Sequence, residues 1–204
     1  MSGYVELHCH SCFSLLRGAS TPEELAARAA HLGMPALALT DRHGLYGAVR
    51  FSVAAQEAGI HPVLGAELVL QGGQRLVLLA EDRTGYANLC RLITRAQRAG
   101  DKGETQLDVN WLEGHTAGLI ALTGGRGGWV PLLLLRGHLE RAEEALRRLR
   151  ALFGPHHLYV EIQHHLRRGD DLLLGALVDL ARRERLPLVA TNEVYYARRE
   201  GHRL

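Results

Sequence analysis

The stretch Tyr4-Val5-Glu6-Leu7-His8-Cys9-His10 opens the chain with alternating apolar and polar residues. Alternation with a period of two predicts a β-strand over Val5–Cys9. Side chains two residues apart share one face of a strand, so Glu6, His8 and His10 are expected to point the same way. Two imidazoles side by side on a rigid backbone supply half of a metal site.

Short apolar runs alternate with segments of helical period along the rest of the chain. Further strands are predicted at Ala36–Thr40, Val63–Leu70, Leu76–Ala80, Leu119–Thr123, Leu158–Ile162 and Leu188–Thr191. Helices are predicted from the capping box at Thr21–Glu24 to Gly33, and over Tyr46–Ala58, Tyr86–Ala99, Leu139–Phe153 and Leu172–Arg185. Seven strands alternating with helices predict parallel βαβ units, in an open doubly wound sheet or a closed barrel. The least regular connection is Gly100–Gly118.

The bulk properties are those of an ordinary globular domain. A chain of 204 residues can build one full core, and the net charge of +2 gives no electrostatic argument for nucleic acid. The three cysteines form no paired CxxC arrangement, and we see no signal peptide or apolar stretch long enough for a bilayer. We therefore expect one domain over residues 1–204, in a reduced, cytoplasmic protein without membrane contact.

Polar residues follow the predicted strands where those strands end. They are His8, His10, Asp41, His43, Glu67, Gln163, His164, Asn192 and Glu193. Chemistry in a barrel of parallel strands collects at the carboxyl ends of the strands. Burying several ionisable groups together is costly unless they pair or bind an ion. The pattern therefore predicts a polar pocket that is, or once was, functional.

The sequence resembles a known family. The opening Tyr4–His10, followed by Ser14-Leu15-Leu16 and Gly18-Ala19-Ser20, is similar to the start of the polymerase and histidinol phosphatase (PHP) domain. Further motifs keep the family order: Ala36–Asp41, Gly44–Gly47, Gly65–Glu67, Leu78–Ala80, Gly118–Gly124 and Ala190–Asn192. The version it resembles most is the N-terminal domain of bacterial DNA polymerase III α chains, particularly the error-prone form. The resemblance implies a distorted (β/α)7 TIM-like barrel with a trinuclear metal site for phosphoester hydrolysis.

The match at the metal positions is incomplete. The resemblance assigns His8, His10 and Glu67 to ligand positions, and Glu193 stands where the family has aspartate. Five other ligand positions are lost, to Arg17, Arg42 (with His43 one place later), Arg75, Gly125 and Tyr195. We expect no cofactor, and the four surviving residues would hold at most one zinc or manganese ion.

Arginine at a ligand position opposes metal binding because its guanidinium stays protonated. We hypothesise that Arg17, Arg42 and Arg75 pair with Asp41, Glu67 and Glu193, closing the carboxylate cluster without ions. In the alternative, these arginines point into solvent.

Three functions follow from these substitutions. The first is a PHP domain of a polymerase III α-like replication or repair protein with a degenerate metal site. Its role would be structural or partner-binding. Its partners would be a polymerase module or other replication and repair proteins, and it would contact DNA only indirectly. The polymerase family continues past the position of Leu204, and this chain carries no palm carboxylates. The second is a phosphoesterase, either a 3′–5′ exonuclease or a small-molecule phosphatase, that uses one remnant metal site. The third is a metal-free pocket whose arginines bind a phosphate or a nucleic-acid end. Whether the domain is an enzyme stays open at this stage.

Overall fold

Six strands form one curled sheet in the computed structural model, which describes residues 3–100 and 105–202. The strands are β1 (Ala36–Leu39), β2 (His61–Val69), β3 (Arg75–Ala80), β4 (Leu119–Leu122), β5 (Leu158–Ile162) and β6 (Leu188–Ala190). The helices are α1 (Pro22–His31), α2 (Ala48–Glu57), α3 (Arg83–Ala99), α4 (Trp129–Leu135), α5 (Leu139–Phe153) and α6 (Asp170–Glu184). The strands lie side by side in chain order. The five predicted helices and the six later strands are confirmed within a few residues, and α4 was not predicted.

The prediction of parallel pairing throughout is wrong for β3. This strand runs antiparallel to both β2 and β4, with Ala66 opposite Leu78 and Leu78 opposite Ala121. The turn between β2 and β3 is too short for the crossover that parallel strands require. Gly72 and Gly73 both adopt positive φ angles in this turn, which glycine does without steric cost. The remaining pairs, β1–β2, β4–β5 and β5–β6, are parallel as expected.

The predicted first strand is present only as isolated pairings. Glu6 pairs with Leu37 of β1, and Cys9 pairs with Val194, which follows β6. The N–H of His10 donates to the carbonyl of Val194 over 2.8 Å, and the N–H of Val194 donates to the carbonyl of His8 over 2.9 Å. The opening segment therefore lies between the two edges of the sheet, which places both histidines beside residues that follow β6.

The main core lies between the sheet and the helices. Leu68 and Leu78 on the sheet pack with Leu92 of α3 and Leu146 of α5, and all four side chains are buried. Residues 101–104 of the irregular connection lie outside the described residues, and its later part forms a short 3₁₀ turn at Val109–Leu112. None of the helices in the described ranges combines the length and apolar composition that a bilayer span requires.

Candidate metal centre

The two histidines of the opening segment are completely buried beside Glu67, which lies near the end of β2. The Nε2 atom of His8 lies 3.4 Å from a carboxylate oxygen of Glu67, and that of His10 lies 3.8 Å from the same oxygen. The extended backbone delivers both imidazoles to one side of the segment, as the alternation predicts. Glu6, on the same side, instead accepts hydrogen bonds from the Tyr4 hydroxyl and the N–H of His8.

Glu161 of β5 supports His8 from behind. Its carboxylate lies 2.8 Å from Nδ1 of His8 and accepts hydrogen bonds from the Gly124 N–H and the Thr191 hydroxyl. A carboxylate accepts only, so Nδ1 of His8 carries a proton and Nε2 faces the site. Burial opposes protonation of His8, but the negative charges of Glu161 and Glu67 outweigh it and raise its pKa to about 10.

A serine connects His10 to a buried aspartate. Nδ1 of His10 lies 3.0 Å from Oγ of Ser14, and the Ser14 hydroxyl donates to Asp41 over 2.6 Å. Because the serine proton goes to Asp41, the serine oxygen accepts the Nδ1 proton of His10, and Nε2 again faces the site. Burial, together with the positive charges of His8 and Arg75, lowers the pKa of His10 to about 3.

Arg75, the first residue of β3, joins the two glutamates of the site. Its guanidinium donates to Glu67 over 3.0 Å and also forms an ion pair with Glu193. The Tyr195 hydroxyl donates to Glu193 as well. Burial alone would raise the pKa of Glu67, but His8 and Arg75 lower it to about 2. The Glu67 carboxylate is thus held ionised by the positive charges of His8 and Arg75.

The backbone beside Arg75 leaves space for its side chain. A Cβ atom on Gly127 would overlap the Arg75 guanidinium, and a Cβ atom on Gly125 would overlap the side chain of Gln163. Gly125 also has a φ of +55°, so a cysteine there would be strained. The loop that follows β4 therefore fits arginine, and Gly125 itself offers no ligand.

Four of the predicted residues meet at one point. His8, His10, Glu67 and Glu193 each offer a ligand atom, and these atoms all lie within 4.8 Å of one another. Among the described buried side chains, Nε2 of His8, Nε2 of His10 and Oε1 of Glu67 have no hydrogen-bond partner. Unpartnered buried polar atoms are rare in native proteins and need an explanation. Two imidazoles and two carboxylates fit one zinc or manganese ion.

The hypothesis of three arginine–carboxylate pairs is correct only for Arg75. In the parts of the chain that the structure describes, Arg17 and Arg42 form no ion pair. Asp41 instead accepts hydrogen bonds from the hydroxyls of Ser11 and Ser14, because both serines lie on the loop that packs against it. Burial and the positive charges of Arg17 and Arg75 lower the pKa of Arg42.

His43 and His164, two other residues of the predicted pocket, lie apart from the four-residue cluster. The Val69 N–H donates to Nε2 of His43, and burial with the neighbouring Arg42 lowers the pKa of His43 to about 4. His164 is exposed and lies 2.8 Å from Asp171. Tyr195 stacks on the His10 ring with centroids 4.9 Å apart, so it closes the site with an aromatic face rather than with a ligand.

The sequence analysis did not identify Glu161 and Ser14, which contact the two histidines. Glu161 is a charged residue in the middle of a buried strand, and that position was the signal that could have revealed it. Ser14 carried no such signal, because its link between His10 and Asp41 depends on how two loops pack.

A cavity of about 740 Å³ lies beside the cluster and includes Glu193 in its lining. Its lining includes five arginines, Arg17, Arg42, Arg75, Arg126 and Arg167, together with Asn192, Glu193, Tyr195 and Tyr196. Arg75 is paired as described above, and Arg126 is paired with Asp170. The cavity thus meets the buried cluster at Glu193 and Arg75, and arginines make up much of its lining.

Known proteins resemble this chain in sequence and in fold. The family model of the PHP domain matches residues 6–165, so the chain belongs to the PHP family. It is 47% identical to an error-prone DNA polymerase of Symbiobacterium thermophilum over 97% of this chain, and 37% identical to a DNA polymerase III subunit α of Treponema pallidum, also over 97%. The chain spans about a fifth of the length of these relatives, 20% and 18% respectively. Among solved structures, a lesion-specific endonuclease of Pyrococcus furiosus superposes with a TM-score of 0.58 at 11% identity, covering 98% of this chain and 50% of the other.

Proposed function

We propose that this chain is the PHP domain of a polymerase III α-like, error-prone protein, and that its metal centre is degenerate and its role structural or partner-binding. One observation carries the proposal: the Arg75 guanidinium pairs with both Glu67 and Glu193. In the family pattern this space belongs to shared ions. The bridges from the opening segment to both edges of the sheet support a distorted (β/α)7 barrel, with that segment as the seventh strand.

Arg75 opposes a multinuclear centre through its charge. Two unit charges about 4 Å apart repel by about 4 kcal/mol at an effective dielectric constant near 20. An ion shared by Glu67 and Glu193 would therefore have to displace Arg75 from both carboxylates, or bind against it. Arg17 and Arg42 line the same cavity and add to the repulsion. With Gly125 and Tyr195 supplying no ligand, the positions for a second and third ion are lost.

The biological setting follows from the relatives. Their names describe DNA polymerases, and this chain matches a fifth of their length. We propose that the domain supports a polymerase module or contacts other replication and repair proteins, and that its contact with DNA is indirect. The free thiols of Cys9, Cys12 and Cys90 support a reduced, cytoplasmic setting.

A phosphoesterase with a single ion is the second candidate. The observation that favours it is the set of unpartnered atoms on His8, His10 and Glu67. Glu161 and the Ser14–Asp41 pair hold both imidazoles with Nε2 facing the site, as metal-binding histidines are held. A bound zinc or manganese ion would supply Lewis acidity and a hydroxide at neutral pH. Arg75 would then hold a phosphate oxygen only after releasing its glutamates.

Hydrolysis of a generic phosphate ester with added Mn²⁺ separates the two candidates. We expect the wild-type chain to hydrolyse the ester no faster than a His8→Ala/His10→Ala variant. His31→Ala is the matched control, because His31 is an exposed histidine at the end of α1. Turnover that the control retains and the double variant loses would establish the phosphoesterase instead.

A further inference from the structure

Helix α3 presents a basic face that no described carboxylate neutralises. The helix contains four arginines and neither aspartate nor glutamate, and three of the arginines, Arg91, Arg95 and Arg98, follow one another at spacings of four and three residues. Residues at these spacings share one side of a helix. Across the described residues none of the three forms an ion pair, and all three are exposed. Like charges so arranged repel, and an anionic partner would remove that repulsion.

Two of these guanidinium groups are held in place by neighbours. Nη1 of Arg91 donates to Oδ1 of Asn88 over 2.9 Å, and the Asn88 amide itself donates to the carbonyl of Ala117. The Arg95 guanidinium lies over the ring of Trp111, with its carbon 4.4 Å from the ring centroid. A side chain that is already oriented loses less conformational freedom when it binds a partner. The two cations therefore have defined positions on the surface of α3.

A groove of about 610 Å³ is lined by this face of α3 and by Trp111 of the 3₁₀ turn at Val109–Leu112. Beside the three arginines, its described lining consists of the uncharged residues Cys90, Thr94, Ala99 and Trp111. The groove shares no lining residue with the cavity beside the histidines and glutamates. It therefore combines three cations with an aromatic surface at a place that the metal centre does not use.

We propose that this groove docks a short acidic segment of a partner protein, with carboxylates on Arg91, Arg95 and Arg98 and an apolar side chain beside Trp111. Guanidinium forks match carboxylates through pairs of parallel hydrogen bonds. Tryptophan and arginine are also the residue types that contribute most to binding at protein interfaces. The groove offers both, with the cations on one side of a helix and the ring at its edge.

The charge around the groove favours a peptide over a nucleic-acid strand. Arg91 and Arg98 lie seven residues apart, which is about 10 Å along the helix axis, and the whole chain has a net charge of only +2. Asp108 caps the turn that carries Trp111, so a phosphate backbone that continued past the ring would meet a negative charge. A peptide can place an uncharged residue at that point.

The inference deepens the partner-binding role proposed above and rests on that proposal for its biological setting. Binding at the groove does not involve the metal centre, because the two sites have no residue in common. It can therefore be measured on EDTA-treated protein, independently of any hydrolysis.

Fluorescence anisotropy of a labelled peptide with the full, EDTA-treated chain tests the proposal. The probe is a short peptide of aspartate and glutamate around one phenylalanine, and the competitors are its asparagine–glutamine analogue and a single-stranded oligonucleotide of equal charge. We expect the acidic peptide to bind saturably, and neither competitor to displace it at equal concentration. Each of the variants Arg91→Gln and Arg95→Gln should raise Kd about fivefold, which is equivalent to about 1 kcal/mol, the upper range for an exposed ion pair. Arg141→Gln is the matched control, because Arg141 is exposed on α5 and does not line the groove.

The fluorescence of Trp111 reports whether the peptide occupies the groove. The chain has two tryptophans, so the variant Trp129→Phe leaves Trp111 as the only one. Saturating acidic peptide should shift the emission of Trp111 in this variant, because a bound phenylalanine changes the exposure of the indole ring to water. This measurement leaves every residue of the groove intact, so it decides the question even where a substitution in the groove prevents folding.

Three results would overturn the inference: no saturable binding of the acidic peptide, binding that leaves the emission of Trp111 unchanged, or a Kd that both arginine variants retain. Displacement of the peptide by the oligonucleotide at equal concentration would assign the groove to nucleic acid and would also overturn it. None of these results concerns the metal centre. Turnover in the hydrolysis assay, in contrast, would overturn the proposed degenerate centre and leave the binding result as it stands.

Discussion

The two sides of the site differ in what has been kept. On the histidine side, His8 and His10 retain buried hydrogen-bond partners, Glu161 and Ser14, that fix each ring. On the arginine side, Arg75 occupies the space between Glu67 and Glu193, while Arg17 and Arg42 line the cavity and form no ion pair with any described residue. Under the proposed function, cations have replaced ligands while the support beneath the remaining ligands stays in place. Such a site would keep its framework and lose its capacity for several ions.

Removing Glu67, the carboxylate that joins the two sides, should lower the free energy of unfolding the most. Glu67→Ala leaves Arg75 and His8 without their shared buried partner, and breaking a buried pair in this way costs about 3–5 kcal/mol. The free energy of unfolding of the variant and of wild type is measured in urea, with and without EDTA. Glu57→Ala, at an exposed position in α2, should stay within about 0.5 kcal/mol of wild type. A loss below 1 kcal/mol for Glu67→Ala would show that the two sides are not coupled.

Weakening the hydrogen bond that supports His8 should lower the free energy of unfolding by a smaller amount. Glu161→Gln keeps the shape of the side chain but removes the negative charge beside His8, and we expect a loss of about 2–3 kcal/mol in the free energy of unfolding. The ¹⁵N shifts of the His8 ring should change at the same time, because its protonation depends on Glu161. Unchanged ring shifts would mean that Glu161 does not fix the ring.

Stability of the EDTA-treated chain should fall as pH rises above neutrality. The pKa of His8 is raised to about 10 in the folded chain, against about 6.5 in an unfolded one. A raised pKa contributes stability that is complete below pH 6.5 and is lost as pH approaches 10. We expect wild type to lose more stability than His8→Asn between pH 7 and pH 10, measured by urea unfolding. Parallel curves for the two proteins would contradict the charged pairing of His8.

The smallest expected loss of stability comes from a change that disturbs only the position of Arg75. Gly127→Ala places a methyl group where the guanidinium lies, and we expect a loss of about 1 kcal/mol as Arg75 shifts from its glutamates. Gly175→Ala is the matched control, since nothing lies within 4 Å of that position in α6, and alanine there should stabilise the helix by about 0.5–1 kcal/mol. Equal changes in thermal unfolding for both variants would show that Gly127 has no special relation to Arg75.

Much of this arrangement could be predicted from the sequence, because periodicity and motif order are local. The HxH pair and Glu67 are both encoded in short runs, and the structure brings them together with Glu193. Pairing direction was mispredicted at β3, although the short turn containing Gly72 and Gly73 was visible in the sequence. The partners of Asp41 could not be predicted, because its choice between arginine and serine depends on how loops far apart in the chain pack together.

The number of metal ions bound per chain distinguishes a degenerate centre from a multinuclear one. The purified chain, incubated with excess Zn²⁺ or Mn²⁺ and then desalted, is assayed by elemental analysis for metal per protein. Because Arg75 occupies the space between Glu67 and Glu193, we expect a ratio of one or less. A stable ratio of two or three, lost when His8 and His10 are replaced by alanine, would contradict it.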